Sequence, residues 1–183
     1  MATAEVSTEE LNIQFDYILK VKAILQERFS GRTPKAFTHT YGCQGNVSDG
    51  ERIDGLLSQM GYDFTDDASK ADFILFNTCA VREHAQDRVF GNVGALKKYK
   101  ETNPELIISL CGCMVQQPHV TERIRKSFPY VDLVFGTNVI HKLPELLYEV
   151  LISDSRVFDI TGGDGVIAEG LPTRHTNKLK AFL

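Results

Sequence analysis

Phe73-Ile74-Leu75-Phe76 and, further on, Leu106-Ile107-Ile108-Ser109-Leu110 are the stretches that decide the fold. Each is a short, nearly continuous apolar run with no alternation, the mark of a strand buried on both faces. Between them Ala85, Val89, Val93 and Leu96 recur on one face of a helix. Toward the N-terminus, Ala36 to Tyr41 reads as a strand and Val47 to Met60 as a helix with Ile53, Leu56, Leu57 and Met60 inward, ended by Gly61. Tyr62 to Phe64 adds a short strand. Toward the C-terminus, Pro118 opens a helix that closes near Pro129, and Val131 to Phe135 is the last clear strand. A helix with Leu143, Leu146, Leu147, Val150 and Leu151 inward follows. Strand and helix in alternation predict an α/β domain, a mainly parallel open sheet flanked by helices.

Two flanks frame that unit. Thr8 to Phe29 carries Leu11, Phe15, Ile18, Leu19, Leu25 and Phe29 as the stripe of an amphipathic helix, with a capping box at Ser7 and Glu10. This helix is expected to pack on the domain surface. Beyond Ile152 the pattern dissolves: Thr161-Gly162-Gly163-Asp164-Gly165 is turn chemistry, and the stretch to Pro172 reads as a linker. Leu179-Lys180-Ala181-Phe182-Leu183 then looks like the start of a strand. The organisation expected is a helical extension over 1–34, an α/β domain over 35–152, and a linker with the start of a further domain over 153–183.

The 183 residues suffice for one domain with a substantial core. A net charge of −4 excludes a global electrostatic attraction to nucleic acid. Met1 to Glu10 holds acids and no apolar stretch, unlike a signal peptide. The longest near-apolar run, Leu106 to Val115, is about half of what a bilayer requires. The expectation is a cytoplasmic protein with no membrane contact, in which the Asn46-Val47-Ser48 sequon is accidental. No phosphate-binding loop, dinucleotide glycine motif or nucleophile elbow is present. His84 and the short basic runs at Lys97–Lys100 and Arg123–Lys126 read as solvated helix surface.

The chemistry lies in four cysteines, at 43, 79, 111 and 113. They are too few and too scattered for a disulfide scaffold. Cys43 follows the strand Ala36–Tyr41, Cys79 follows Phe73–Phe76, and Cys111 and Cys113 sit at the end of Leu106–Leu110, so three parallel strands deliver thiols to one carboxyl edge. One cysteine at a strand end is ordinarily a small buried hydrophobe. All of them at one edge point instead to a shared soft-metal site of zinc, copper(I) or an iron–sulfur cluster. Zinc sites usually show CxxC pairs, which are absent. Of the C-x-C pair, only one thiol is expected to face the site.

Thr40-Tyr41-Gly42-Cys43-Gln44-Gly45-Asn46, Asn77-Thr78-Cys79-Ala80-Val81-Arg82-Glu83 and Cys111-Gly112-Cys113, in that order, resemble the three cysteine motifs of the methylthiotransferase N-terminal domain. Pro129-Tyr130-Val131-Asp132-Leu133-Val134-Phe135-Gly136 is similar to that family as well. The resemblance runs from about Lys35 to Leu151. Tyr41-Gly42-Cys43-Gln44 and Arg82-Glu83 are most similar to its MiaB type, which modifies tRNA adenosine. The resemblance implies Cys43, Cys79 and Cys113 as the three ligands of an auxiliary 4Fe-4S cluster. An iron without a protein ligand would then be open to chemistry, whereas four-cysteine ligation is the usual electron-transfer arrangement. It implies further that Arg174 to Leu183 leads into a radical S-adenosylmethionine barrel with a second 4Fe-4S cluster, and that tRNA is held mostly by domains outside this chain. The whole enzyme would be a transferase adding a methylthio group to C2 of N6-isopentenyladenosine beside the anticodon. This chain alone would be inactive. Cys111 continues the apolar run and should pack as a small hydrophobe, while Cys113 follows the flexible Gly112 beyond it. The alternative from another class is a zinc-binding or redox-interaction module without a catalytic role.

Overall fold

The computed structural model describes residues 6–42, 44–79, 85–160 and 172–174. Helix α1 (Thr8–Arg28) is opened by the expected cap: the Ser7 hydroxyl accepts a hydrogen bond from the Glu10 N–H at 3.1 Å. Then come β1 (Lys35–Tyr41), α2 (Gln44–Gln59), β2 (Asp63–Phe64), β3 (Phe73–Thr78), α3 (Ala85–Thr102), β4 (Ile107–Gly112), α4 (Pro118–Ser127), β5 (Leu133–Phe135), α5 (Leu143–Ser153) and β6 (Val157–Asp159). The strands form one open, all-parallel sheet in the order β2-β1-β3-β4-β5-β6. An α/β architecture with a parallel sheet between helices is the one the sequence predicts. No helix among the described residues is long and apolar enough to cross a membrane.

The apolar runs lack alternation because both faces of the sheet are covered. Phe73 and Leu75 of β3, with Ile107 of β4, face a core built by α1, α2 and α5. Their neighbours Ile74, Phe76, Ile108 and Leu110 face a second core under α3 and α4. Successive side chains thus enter opposite layers, and the runs are apolar throughout except for the buried Ser109.

Three local expectations need correction. Helix α2 begins at Gln44, three residues before the expected Val47, so its first turn directly follows Cys43. The stripe on α1 is rotated. Gln14, Ile18, Val21 and Leu25 are buried, whereas Phe15 and Leu19 are exposed. The polar Gln14 belongs inside because its amide donates to Glu10 at 3.1 Å and to Glu145 at 3.0 Å, while its oxygen accepts from the Glu145 N–H at the start of α5. Finally, the stretch read as linker beyond Ile152 contains β6, which pairs Val157 with Leu133 and Asp159 with Phe135. Val131 to Phe135 is therefore not the last strand.

Pro172–Arg174 lies across α2. A Cβ on Gly55 would stand 2.0 Å from the Pro172 carbonyl oxygen, so only glycine admits this backbone. The Arg174 N–H donates to the Glu51 carbonyl at 2.9 Å, and its guanidinium stacks 3.9 Å from the Phe64 ring centroid.

Candidate metal centre

Successive connections carry the chain from β1 outward to β2, then back across β1 to β3 and on to β6. Between β1 and β3 the direction reverses, which opens a crevice outside the carboxyl ends of those strands. The register there is level: Tyr41 of β1 pairs with Thr78 of β3, and Thr78 with Gly112 of β4. Cys79 and Cys113 each follow the last residue of their strand, on neighbours about 4.8 Å apart. Cys43, two positions past Tyr41, lies outside the described residues, as do His84 and the glycine-rich stretch from Thr161.

The residues flanking Cys43 are described. Gly42 has φ +141°, and a Cβ on it would stand 2.4 Å from Cys79 Cβ and 3.3 Å from Cys79 Sγ. The backbone entering Cys43 therefore rests directly on the second cysteine. Gly112 repeats the device on the other side: φ is +105°, and its absent Cβ would overlap the Thr78 oxygen and nitrogen at 2.1 and 2.6 Å. Left-handed backbone and missing side chains let three strand ends close on each other.

The thiols differ in setting. Cys79 is buried, and Cys113 is exposed at the start of a 3-10 turn over Met114–Gln116. Cys111 is fully buried in β4 beside Phe135, and desolvation, with help from Asp49 and Cys113, holds its thiol well above the ordinary range. A neutral thiol in an apolar layer is a packing group. Soft sulfur donors at neighbouring strand ends, with glycine backbone between them, fit a thiophilic metal centre. Among the described residues no group of three His, Cys, Asp or Glu side chains gathers into a metal site.

Sequence reasoning assigned no role to the polar residues beneath these cysteines. Asn46, Asn77 and Thr78 are buried. Asn46 Nδ2 donates to Asn77 Oδ1 at 3.0 Å and to the Thr78 carbonyl at 3.2 Å, and Asn77 Nδ2 donates to the Asn46 carbonyl at 2.7 Å. Thr78 Oγ1 donates to the Cys111 carbonyl at 2.6 Å, tying β3 to β4. The available signal was the pair Asn77-Thr78 standing between the apolar run Phe73–Phe76 and Cys79. With its amide so engaged and 2 % exposed, Asn46 offers no glycosylation site. The basic runs are locally engaged, as expected of helix surface: Lys100 pairs with Asp132, Lys126 with Glu122, and Arg123 stacks on Phe90.

Fold and site together define a parallel α/β domain that presents thiols at its topological switch point. Residues 35–136 match the family described as "Uncharacterized protein family UPF0004". A tRNA-2-methylthio-N(6)-dimethylallyladenosine synthase of Caldicellulosiruptor saccharolyticus is 42% identical over 176 residues, 95% of this chain and 37% of that protein. The synthase of the same name from Clostridioides difficile is 42% identical over 180 residues, 97% of this chain and 38% of that protein. One from Clostridium perfringens strain 13 is 46% identical over 144 residues, 79% of this chain and 32% of that protein. The chain belongs to the UPF0004 family, the methylthiotransferase N-terminal domain, and spans under two fifths of the length of these relatives.

Proposed function

We propose that this chain is the auxiliary-cluster domain of a tRNA methylthiotransferase, with Cys43, Cys79 and Cys113 as the three protein ligands of a 4Fe-4S cluster. The observation that supports the reading is the level register of Tyr41, Thr78 and Gly112, with Cys79 and Cys113 next in the chain after the last two. Such a cluster, when bound, supplies an iron open to an exogenous sulfur or methylthio group. The chain's own part is to hold the three thiolates in fixed relation, to keep Cys111 protonated in the core, and to shield one side of the site with buried Cys79. The start of α2, which follows Cys43 in the chain, favours a thiolate there through the helix dipole.

The whole protein, by analogy with the names of its relatives, adds a methylthio group to C2 of N6-dimethylallyladenosine in tRNA. A second 4Fe-4S cluster and S-adenosylmethionine would belong to a radical domain beyond this one, which generates the radical that activates the C2–H bond. The tRNA would bind mostly outside this chain, in the cytoplasm. This division of labour agrees with the net charge of −4 and with basic side chains already paired on the helix surface.

The test is metal content. Anaerobically purified and reconstituted protein should hold about four irons and four sulfides per chain; one zinc and no sulfide would establish the zinc-module alternative. The chain alone, which lacks C-x-x-x-C-x-x-C, should form no 5′-deoxyadenosine from S-adenosylmethionine. Its formation would contradict the proposed division of labour.

A further inference from the structure

We infer that Asn77 is the positioning residue of this centre, its side chain setting the spacing of the three segments that carry the cysteines. The inference rests on the reading above that Cys43, Cys79 and Cys113 hold one cluster. Asn77 is 1% exposed, two residues before Cys79. Its Oδ1 accepts from Asn46 Nδ2 at 3.0 Å, and its Nδ2 donates to the Asn46 backbone oxygen at 2.7 Å. Asn46 lies in the first turn of α2, three residues after Cys43. On the opposite side, a Cβ on Gly112 would stand 2.8 Å from Asn77 Oδ1, so the same amide packs against the backbone immediately before Cys113. One side chain therefore touches the segments of all three cysteines.

A buried amide costs free energy unless donor and acceptor are both used, and a leucine would fill such a site without that condition. The pairing with Asn46 needs an acceptor and a donor on one planar group. Aspartate at 77 would lose the donor to the Asn46 carbonyl, and an apolar residue would lose both bonds. The pair therefore fixes where α2 starts relative to the end of β3, the two elements next to the first two proposed ligands in the chain. Contact with Gly112 extends the same constraint to the third. The bonds named here run between the two side-chain amides and backbone carbonyls, so the role argued is positional. Groups of this kind, one step removed from the ligands, typically change metal affinity by about 10–100-fold when removed.

The experiment uses the 183-residue chain, reconstituted anaerobically with iron and sulfide, as wild type, Asn77→Leu, Asn46→Ala and Asp72→Asn. Asp72 serves as a control at the amino edge of the sheet, where it holds Arg32 at 2.7 Å and the Lys35 N–H at 2.8 Å. Iron content, the rate of iron release to a chelator and the thermal midpoint of the metal-free protein are read for each. Both asparagine variants should release iron about tenfold faster or more than wild type. Asp72→Asn should lower the thermal midpoint and leave the release rate unchanged. Either folded asparagine variant with wild-type iron content and release rate overturns the inference. So does equal acceleration in Asp72→Asn, and so does failure of both asparagine variants to fold, which would make the pair structural only. A wild type that takes up no iron refutes the cluster reading instead, before any variant is compared.

Discussion

Replacing Gly112 by alanine should cost several kcal/mol, whereas the same change at Gly91 should stabilise. Gly112 ends β4 with φ +105°, and a Cβ there would stand 2.1 Å from the Thr78 oxygen and 2.6 Å from its nitrogen. Those are backbone atoms of a strand paired on both sides, so neither can swing away. The left-handed backbone costs alanine roughly 1–2 kcal/mol. Forcing a methyl group into filled space adds about 1–3 kcal/mol. The sum is roughly 2–5 kcal/mol, a large share of the ~5–15 kcal/mol that holds an ordinary domain together. At a urea slope of about 2 kcal/mol per molar, the unfolding midpoint should fall by about 1–2.5 M. Gly91 lies within α3, where an added Cβ meets nothing within 4 Å. Alanine there removes unfolded-state entropy and should raise stability by about 0.4–1 kcal/mol. Urea titration of the metal-free protein, followed by circular dichroism, reads both variants. A Gly112→Ala midpoint within about 0.5 M of wild type would refute the close approach of the β3 and β4 ends.

The paired cysteines should separate cleanly. Cys111→Ala should keep wild-type iron after reconstitution at a packing cost of about 1 kcal/mol, while Cys113→Ala loses the cluster, and the reverse result would reassign the third ligand. Asp54 is 7 % exposed, accepts from Thr38, and has one oxygen without a hydrogen-bond partner among the described residues; burial, the largest influence, lifts its pKa to about 6. Its folded value lies above the unfolded value of about 3.9, so wild type should lose about 2–3 kcal/mol relative to Asp54→Asn as pH rises from about 4 to about 6.5. Parallel thermal-midpoint profiles of the two proteins across that range would show that the carboxylate is not strained. Gly55→Ala should expel Pro172–Arg174 from α2, which amide exchange at Arg174 reports as lost protection. Global stability should change little, because about 1 kcal/mol of helix propensity offsets the lost hydrogen bond and ring contact. An Arg174 amide as protected as in wild type would mean that α2 yields to the methyl group.

Much of the fold was legible in sequence because burial on both faces leaves a plain trace. Phe73–Phe76 and Leu106–Leu110 cannot be amphipathic when each side chain enters one of two cores. β6 left no such trace. It has three residues, of which only Val157 is buried, and pairing with β5 makes it a strand more than its composition does. On α1 the Ser7 cap on the Glu10 N–H was readable, since a cap is local. Which stripe turned inward was not readable. That depended on α5 offering Glu145 to Gln14, a partner 131 residues away, and left Phe15 and Leu19 in solvent.

The sequence by itself determined that thiols follow the ends of three of the strands, because chain order and apolar runs set which residues come next. Strand order is a separate matter. Only the assembled sheet places β1, β3 and β4 side by side with Tyr41, Thr78 and Gly112 level, and makes their ends a crevice. Only the assembled sheet also brings Asn46 to Asn77, 31 residues apart, and presses Gly42 and Gly112 against neighbouring backbone. The physical reason is range. Periodicity and caps act within a few residues and are written in sequence, whereas register and close approach are settled by how two cores fill on either side of one sheet.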